Sequence, residues 1–315
     1  MVFHSSPRKL GLFVSASSIA LILAIPARAQ TVEIPEPPVN AMTDERGVDL
    51  TSGQLMVNFT PLTIGDATHG LKQSLYYPGL YGFRHDQMVT ATADDYDMYG
   101  TAYGYHVTVA TGQVANGFTW NGSVYVPDKG DGATLTFTLN KWTYTDHDGN
   151  VVELDRTQGP GYTAGYDTTA YYGGVDGVAT TITRPDGFKT RLTYKTGSYY
   201  YSDSYVSGTL YVTRLQSSTT STGYQLKFKY RSDTLSQSTA NDWVGIAQEQ
   251  MINNAVDYCD PTADSCTGLT QSWPTMTVGS STSGSNGILS FTDPVGRTSS
   301  FTFDSSGRII GYRRP

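Results

Sequence analysis

Residues 289–310, LSFTDPVGRTSSFTFDSSGRII, decide the fold class of this chain. The pattern Asp-x-x-Gly-Arg occurs twice in this stretch, beginning at Asp293 and again, eleven residues later, at Asp304. An aspartate that opens a turn accepts hydrogen bonds from the backbone N–H groups that follow it, and a glycine three positions later adopts positive φ without steric cost. Each pattern therefore predicts a tight turn between two antiparallel strands. Because a single hairpin cannot bury its own apolar side chains, we expect the two units to stack against neighbouring strands.

The composition of the whole chain agrees with this local pattern. The 315 residues include 33 Gly, 14 Pro and 23 Tyr, with many Thr and Ser and few Lys and Glu. Such residues favour strands and turns over helices. We therefore predict an all-β fold, namely an antiparallel β-hairpin array, as an open sheet or a partial shell, preceded by a β-rich N-terminal domain. Residues Asn241 to Met251 fit either a short helix or an irregular strand.

The clearest single strand is predicted at residues 224–231. Apolar and aromatic residues occupy every second position, and Gln225, Lys227, Lys229 and Arg231 occupy the positions between them. This alternation is typical of a strand with one buried face and one solvated face. We interpret the basic face as solvated, in preference to a ligand-binding surface.

The N-terminus carries the features of a secretory signal peptide. Arg8 and Lys9 precede an apolar stretch from Leu10 to Ile25, and an Ala-x-Ala cleavage site at residues 27–29 precedes Gln30. Removal of residues 1–29 takes away three cations and no acids, so the formal net charge falls from −7 to −10. That charge argues against binding to a nucleic-acid backbone, and no second apolar run approaches the roughly 18 residues of a membrane span. We therefore predict a secreted, cell-surface or periplasmic protein.

Four regions follow from these patterns. They are a signal peptide at 1–29, a Pro/Glu-rich spacer at 30–46, a β-rich N-terminal region at 47–245 and the start of the hairpin repeats at 246–315.

The repeated motif resembles the RHS/YD-repeat family, whose units read roughly Tyr/Phe-x-Tyr/Phe-Asp-x-x-Gly-Arg-Leu/Ile. The best match is Phe301 to Ile309, and Phe291 to Arg297 looks like the intervening Asp-Pro-x-Gly-Arg unit. The turn residues that carry the resemblance are Asp293, Gly296, Arg297, Asp304, Gly307 and Arg308. Other stretches that look like parts of this family are Val48 to Phe59, Ile252 to Pro261, and Cys266 with Leu269 to Pro274.

The resemblance implies a non-enzymatic structural module with no cofactor. In the family the repeats form a β-sheet shell that encloses or presents a C-terminal toxin or effector. The expected partners are therefore further repeats or such an effector. Because the sequence ends at Pro315, directly after one unit, we expect a complete shell and a C-terminal effector to be absent from this chain.

Cys259 and Cys266 are the two cysteines of the chain. In an oxidising compartment we expect a disulfide between them, in preference to two free thiols. A zinc site is not expected, because no histidine lies near the pair. Asp146-His147-Asp148-Gly149 superficially resembles a calcium loop, but its spacing is that of a hairpin turn and not of an EF-hand.

Two other classes of function stay open from the residues alone. The first is a carbohydrate-binding β-sandwich that uses the aromatic residues at 96–105 and 199–205, since aromatic faces suit sugar rings. The second, weaker class is a glycan hydrolase that uses Asp94, Asp95 or Asp97 as paired carboxylates. No nucleophile motif surrounds the histidines of the mature chain, and no phosphate-binding or dinucleotide motif is present.

Overall fold

The computed structural model describes residues 57–77, 83–93, 106–112, 114–138, 140–157, 176–202 and 207–315. These residues belong to one compact unit. They form nineteen strands and one helix of five residues, and the strands pair antiparallel, so the predicted all-β antiparallel fold is confirmed. The predicted signal peptide, the spacer and residues 48–55 lie outside the described residues. No helix among the described residues has the length and apolar character needed to cross a membrane.

In chain order, the elements are β1 (Asn58–Ile64), β2 (Leu71–Tyr76), β3 (Arg84–His85), β4 (Val89–Ala93), β5 (His106–Thr111), β6 (Val114–Trp120), β7 (Tyr125–Pro127), β8 (Thr134–Thr138), β9 (Lys141–Thr145), β10 (Val151–Asp155), β11 (Gly177–Thr183), β12 (Lys189–Ser202), β13 (Ser207–Thr220), β14 (Tyr224–Tyr230), α1 (Ala240–Val244), β15 (Ile246–Asn253), β16 (Thr275–Ser283), β17 (Asn286–Thr292), β18 (Thr298–Phe303) and β19 (Ile309–Arg313).

Most strands belong to one large sheet with a simple order. From β11 to β19 each strand pairs antiparallel with the next strand along the chain. The sheet branches at β11, which pairs with β12, with β10 and, through Gly177 and Val178, with β4. Most of these strands are joined by short connections, as the turn motifs predict. Residues 231–245, between β14 and β15, and residues 254–274, between β15 and β16, are longer.

A second sheet of three strands, β1 to β3, packs on the large sheet from β14 to β18. Phe83 lies at the centre of this interface, with its ring centroid 4.6 Å from that of Phe301 and 5.0 Å from that of Phe291. The Phe59 ring contacts the same two rings. Pro61 lies at an irregularity between Phe59 and Leu62 in β1, which is an edge strand of the small sheet, as expected for a proline without an N–H donor.

The segment predicted as either helix or strand contains both. Helix α1 covers its first part and places Trp243 in a small buried cluster with Tyr199 and Val212. Gly245 has an extended backbone with φ −75° and ψ 115°, and strand β15 begins directly after it. Both interpretations were therefore correct for different halves of the segment.

Candidate functional site

The two repeat turns share one hydrogen-bonding arrangement. Asp293 Oδ1 accepts from the backbone N–H of Val295 at 3.0 Å and from that of Arg297 at 2.9 Å, and Asp293 Oδ2 accepts from Arg297 Nε at 2.7 Å. The second turn repeats these contacts between Asp304 and both Ser306 and Arg308, at 2.7–2.9 Å. In each unit the aspartate therefore binds both the backbone N–H and the guanidinium of the arginine at the other end of the turn.

The glycines of both units adopt the predicted left-handed conformation, with φ of 85° at Gly296 and 77° at Gly307. The N–H of each glycine donates to the carbonyl of the aspartate three residues earlier, at 2.9 Å for Gly296 and 3.0 Å for Gly307. The predicted strand pairing across the second turn is also present, since Phe301 lies opposite Tyr312 and Phe303 opposite Ile309. The five-residue pattern thus encodes a complete turn.

Hydrogen bonding changes the acidity of both aspartates. The backbone N–H of Arg308, followed by its guanidinium, lowers the pKa of Asp304. At Asp293 burial acts to raise the pKa, but the hydrogen bonds from Arg297 and Val295 outweigh it and the net pKa is lowered. Both carboxylates are therefore held in their charged form by the turn itself.

The same turn occurs earlier in the chain with different side chains. Asp146 Oδ1 accepts from the backbone N–H of Asp148 at 3.0 Å and of Asn150 at 2.8 Å, and Gly149 has φ 82°. Asn150 takes the place of the arginine and donates its amide to Asp146 Oδ2 at 2.8 Å. The Asp146 carboxylate is therefore used by a hairpin turn, as predicted in preference to a calcium loop. The described residues contain no cluster of three or more His, Cys, Asp or Glu that could hold a metal ion.

The predicted disulfide between Cys259 and Cys266 is present, with the Cα atoms 5.3 Å apart. It closes a loop inside residues 254–274, which we call the disulfide segment. The carboxylate of Asp257, near the beginning of this segment, binds residues near its end. It accepts hydrogen bonds from the backbone N–H and the hydroxyl of Thr270, from the N–H of Gln271 and from Trp273 Nε1, at 2.7–3.0 Å. Burial acts to raise the pKa of Asp257, but these four hydrogen bonds lower it to about 2.

The disulfide segment docks on the large sheet through Asp264. The carboxylate of Asp264 accepts from Lys195 Nζ at 2.7 and 2.8 Å, from Arg214 Nη2 at 2.8 Å and from Gln216 Nε2 at 3.1 Å. These donors lie on β12 and β13, on the face that contacts the disulfide segment. The pairing register of the two strands shifts between Thr193 and Tyr194. Charge-assisted hydrogen bonds of this kind are stronger than neutral ones.

Arg214 is the centre of this contact, and its side chain is fully buried. Its guanidinium carbon lies 4.4 Å from the ring centroid of Tyr230 and 4.3 Å from that of Trp243. Arg214 Nη1 also donates to the carbonyls of Ser232 at 2.9 Å and Trp243 at 2.7 Å. The residue therefore joins helix α1, β13, β14 and the disulfide segment. Sequence reasoning missed it, because its hydrogen-bond partners lie 18 to 50 residues away along the chain.

The prediction that the basic face of β14 is solvated was wrong at two of its four positions. Gln225 and Lys227 are buried, whereas Lys229 is exposed. Lys227 Nζ donates to the carbonyls of Asp260 at 3.1 Å and Pro261 at 2.9 Å, so the disulfide segment covers this part of the face. Burial lowers the pKa of Lys227 to about 8.

Most residues of the alternative functions cannot be placed in one site, because they fall outside the described part of the chain. Asp94, Asp95, Asp97 and the aromatic residues at 96–105 lie outside the described residues. Of the second aromatic group, Tyr199 is buried against Val212 and Trp243, while Tyr200 on the opposite face of β12 is 65% exposed. Three histidines contact three different aspartates, in the pairs His69–Asp186, His106–Asp128 and His147–Asp148.

No protein-family model matches the sequence, and a comparison with curated proteins found no match. One similar solved structure is the Tc holotoxin pore of Photorhabdus luminescens, with a TM-score of 0.34 and 11% sequence identity. The similarity covers 81% of this chain but only 15% of that chain, so this protein spans a small part of its length. A similarity at this level assigns neither a family nor a function.

Proposed function

We propose that this chain is a non-enzymatic structural module of a secreted or cell-surface β-sheet scaffold, built from hairpin repeats of the RHS/YD kind. One observation carries the proposal: the Asp-x-x-Gly-Arg unit forms the same turn twice in succession, and each turn adds one strand to the same sheet. A unit that adds a strand without altering the existing sheet is a means of building a scaffold of variable length.

The packing of the repeat strands supports this role. Phe291 and Phe301 are buried against the small sheet, and Phe301 also stacks on Tyr312 with a centroid distance of 4.6 Å and an interplanar angle of 9°. Tyr77 adds a hydrogen bond of 2.7 Å to the carbonyl of Gly307 in the turn. The aromatic side chains therefore supply the burial that an isolated hairpin lacks.

β19 is an edge strand of the large sheet among the described residues. An edge strand presents backbone N–H and C=O groups that can pair with a further strand. We propose that further repeats pair here, and that the completed scaffold encloses or presents a C-terminal toxin or effector.

This proposal is tested by lengthening the array by one unit. A second copy of residues 304–313 is placed after Arg313, and backbone amide hydrogen exchange is measured. We expect slower exchange at the backbone amides of β19 that point away from β18, because the added strand forms hydrogen bonds with them. The matched control carries valine in place of the copy of Gly307 and should give weaker protection. Unchanged exchange in β19 with the intact copy would overturn the proposal.

Secretion is a separate part of the proposal and has its own experiment. The basic, apolar and Ala-x-Ala features of residues 8–29 support export, and the Cys259–Cys266 disulfide suits an oxidising compartment. N-terminal sequencing of the exported protein should begin at Gln30. A mature protein that retains Leu10 to Ile25 would contradict this prediction.

A further inference from the structure

A groove of about 330 Å³ lies on one face of the large sheet, across β11, β12 and β13. Thr181 on β11, Arg191 on β12 and Thr219 on β13 are consecutive partners in the strand register, so they form one row across the groove. Lys189 lies two residues from Arg191 on the same face. Pro261 of the disulfide segment also lines the groove. The groove is therefore bordered by a sheet face and by a docked loop.

One lining residue of the groove and its partner on the next strand have polar groups whose hydrogen bonding is incomplete. Thr219 Oγ1 is buried and has no hydrogen-bond partner among the described residues. Gln225, which lies opposite Thr219 on β14, is completely buried, and neither its amide oxygen nor its amide nitrogen has a partner among those residues. A buried polar group without a partner is unfavourable, so an unpartnered hydroxyl in the lining of a groove indicates a missing hydrogen-bonding species.

Two cations at the groove are also uncompensated. Lys189 and Arg191 are exposed and form no ion pair within the described part of the chain. Glu153, which lies opposite Thr181 in the strand register, pairs with Lys141. Asp260, which precedes Pro261 in the disulfide segment, accepts two hydrogen bonds from Thr262. The net charge of the chain is −7, so the protein as a whole repels anions. Attraction of an anion to this face must therefore come from the cations at the groove itself.

The chemistry of the lining groups selects the kind of ligand. A guanidinium and an ammonium only donate hydrogen bonds, and threonine hydroxyls can also donate. A planar guanidinium binds phosphate-like groups through two parallel hydrogen bonds. We propose that this groove binds a tetrahedral oxyanion, that is, a phosphate or sulfate group, held by Arg191 and Lys189 with Thr181 and Thr219 as additional donors. This site is independent of the scaffold role proposed above.

The experiment measures binding of inorganic phosphate, sulfate and glycerol phosphate by NMR titration of the full mature chain. Glycerol is the uncharged control. We expect saturable shifts at residues 181–191 and 219–225 with each anion and none with glycerol. Tighter binding of glycerol phosphate than of phosphate would identify a phosphate ester as the preferred source, and the reverse order would identify the free ion. Absence of saturable shifts with all three anions would overturn the proposal.

Variants distinguish a local site from general charge attraction. The double variant Lys189→Gln with Arg191→Gln should weaken phosphate binding at least tenfold, and Thr219→Val should weaken it several-fold. The matched control is Lys129→Gln with Arg313→Gln, which makes the same change in charge at exposed positions away from the groove. We expect unchanged binding in this control. Equal losses in the two double variants would overturn the proposal, and thermal unfolding of each variant verifies that it folds.

Discussion

The repeat hairpins at residues 286–313 and the disulfide segment at residues 254–274 are both rich in turns, but they are held in different ways. In the hairpins the aspartate contacts lie within four residues, as between Asp304 and Arg308. In the disulfide segment Asp264 contacts Arg214 and Lys195, which are 50 and 69 residues away in sequence. The same residue type therefore serves a local turn in one region and long-range docking in the other. Only the first kind of contact leaves a short sequence motif.

The largest expected effect comes from breaking the long-range contact. Arg214→Met should lower the free energy of unfolding by about 3–5 kcal/mol, because it removes the buried partner of Asp264 and of two backbone carbonyls. The matched variant in the repeat region is Arg297→Met, which breaks an ion pair on a side chain that is 68% exposed. Its cost should stay below about 1 kcal/mol. Urea denaturation measures both, and equal losses would contradict the contrast between the regions.

Removal of the disulfide should have a smaller effect that stays within its own segment. The cysteines are seven positions apart, so loop-closure entropy gives at most about 2–3 kcal/mol for this cross-link. The paired change Cys259→Ser and Cys266→Ser should leave the protein folded and speed amide exchange in residues 254–274. The repeat hairpins should exchange as before. Global unfolding of the variant, or two free thiols in the exported wild type, would refute this prediction.

Breaking a repeat turn should cost less again. Gly307→Val should lower the free energy of unfolding by about 1–2 kcal/mol, because valine is strained at positive φ. No atom lies within 4 Å of the added Cβ, so the effect is one of backbone conformation and not of a clash. Gly296→Val should behave alike, for the same reason.

Gly287→Val is the control for the turn variants. Gly287 lies within β17, also has open space at its Cβ, and does not have positive φ. Valine suits a strand, so this change should not destabilise the protein. A loss as large as that of Gly307→Val would show that the turn conformation is not the cause.

The smallest expected effect is the acid titration of a repeat turn. The pKa of Asp304 is lower in the folded protein than the ordinary value of 3.8, mainly through the N–H and guanidinium of Arg308. Its contribution to stability is therefore complete above pH 3.8 and is lost as the pH falls through the lower, folded pKa. NMR titration of the Asp304 carboxyl should show a midpoint below 3.8, and Arg308→Ala should move it upward. An unshifted midpoint in the wild type would contradict the turn geometry.

Much of the candidate site could not be predicted from the sequence, and Lys227 illustrates the reason. The alternation in β14 correctly predicts that Lys227 lies on the face opposite the apolar residues. It does not predict whether that face is exposed to solvent or covered by another segment. The carbonyls of Asp260 and Pro261 that cover it belong to a segment 33 and 34 residues further along the chain. The cysteine pair indicates that this segment forms a closed loop, but nothing in its pattern indicates where the loop docks.

The sequence by itself determined the all-β class, the positive φ of Gly296 and Gly307, the hairpin pairing that follows them and the Cys259–Cys266 disulfide. These features depend on interactions among residues that are at most about a dozen positions apart, so a short pattern contains all the partners. Tertiary structure alone decided the branching at β11, the packing of the small sheet on Phe291 and Phe301, the burial of Arg214 and the groove beside Arg191. Each of these features depends on contacts between segments that are far apart in the sequence. Those contacts decide which charged side chains are buried, and a buried charge needs a partner that an exposed charge does not.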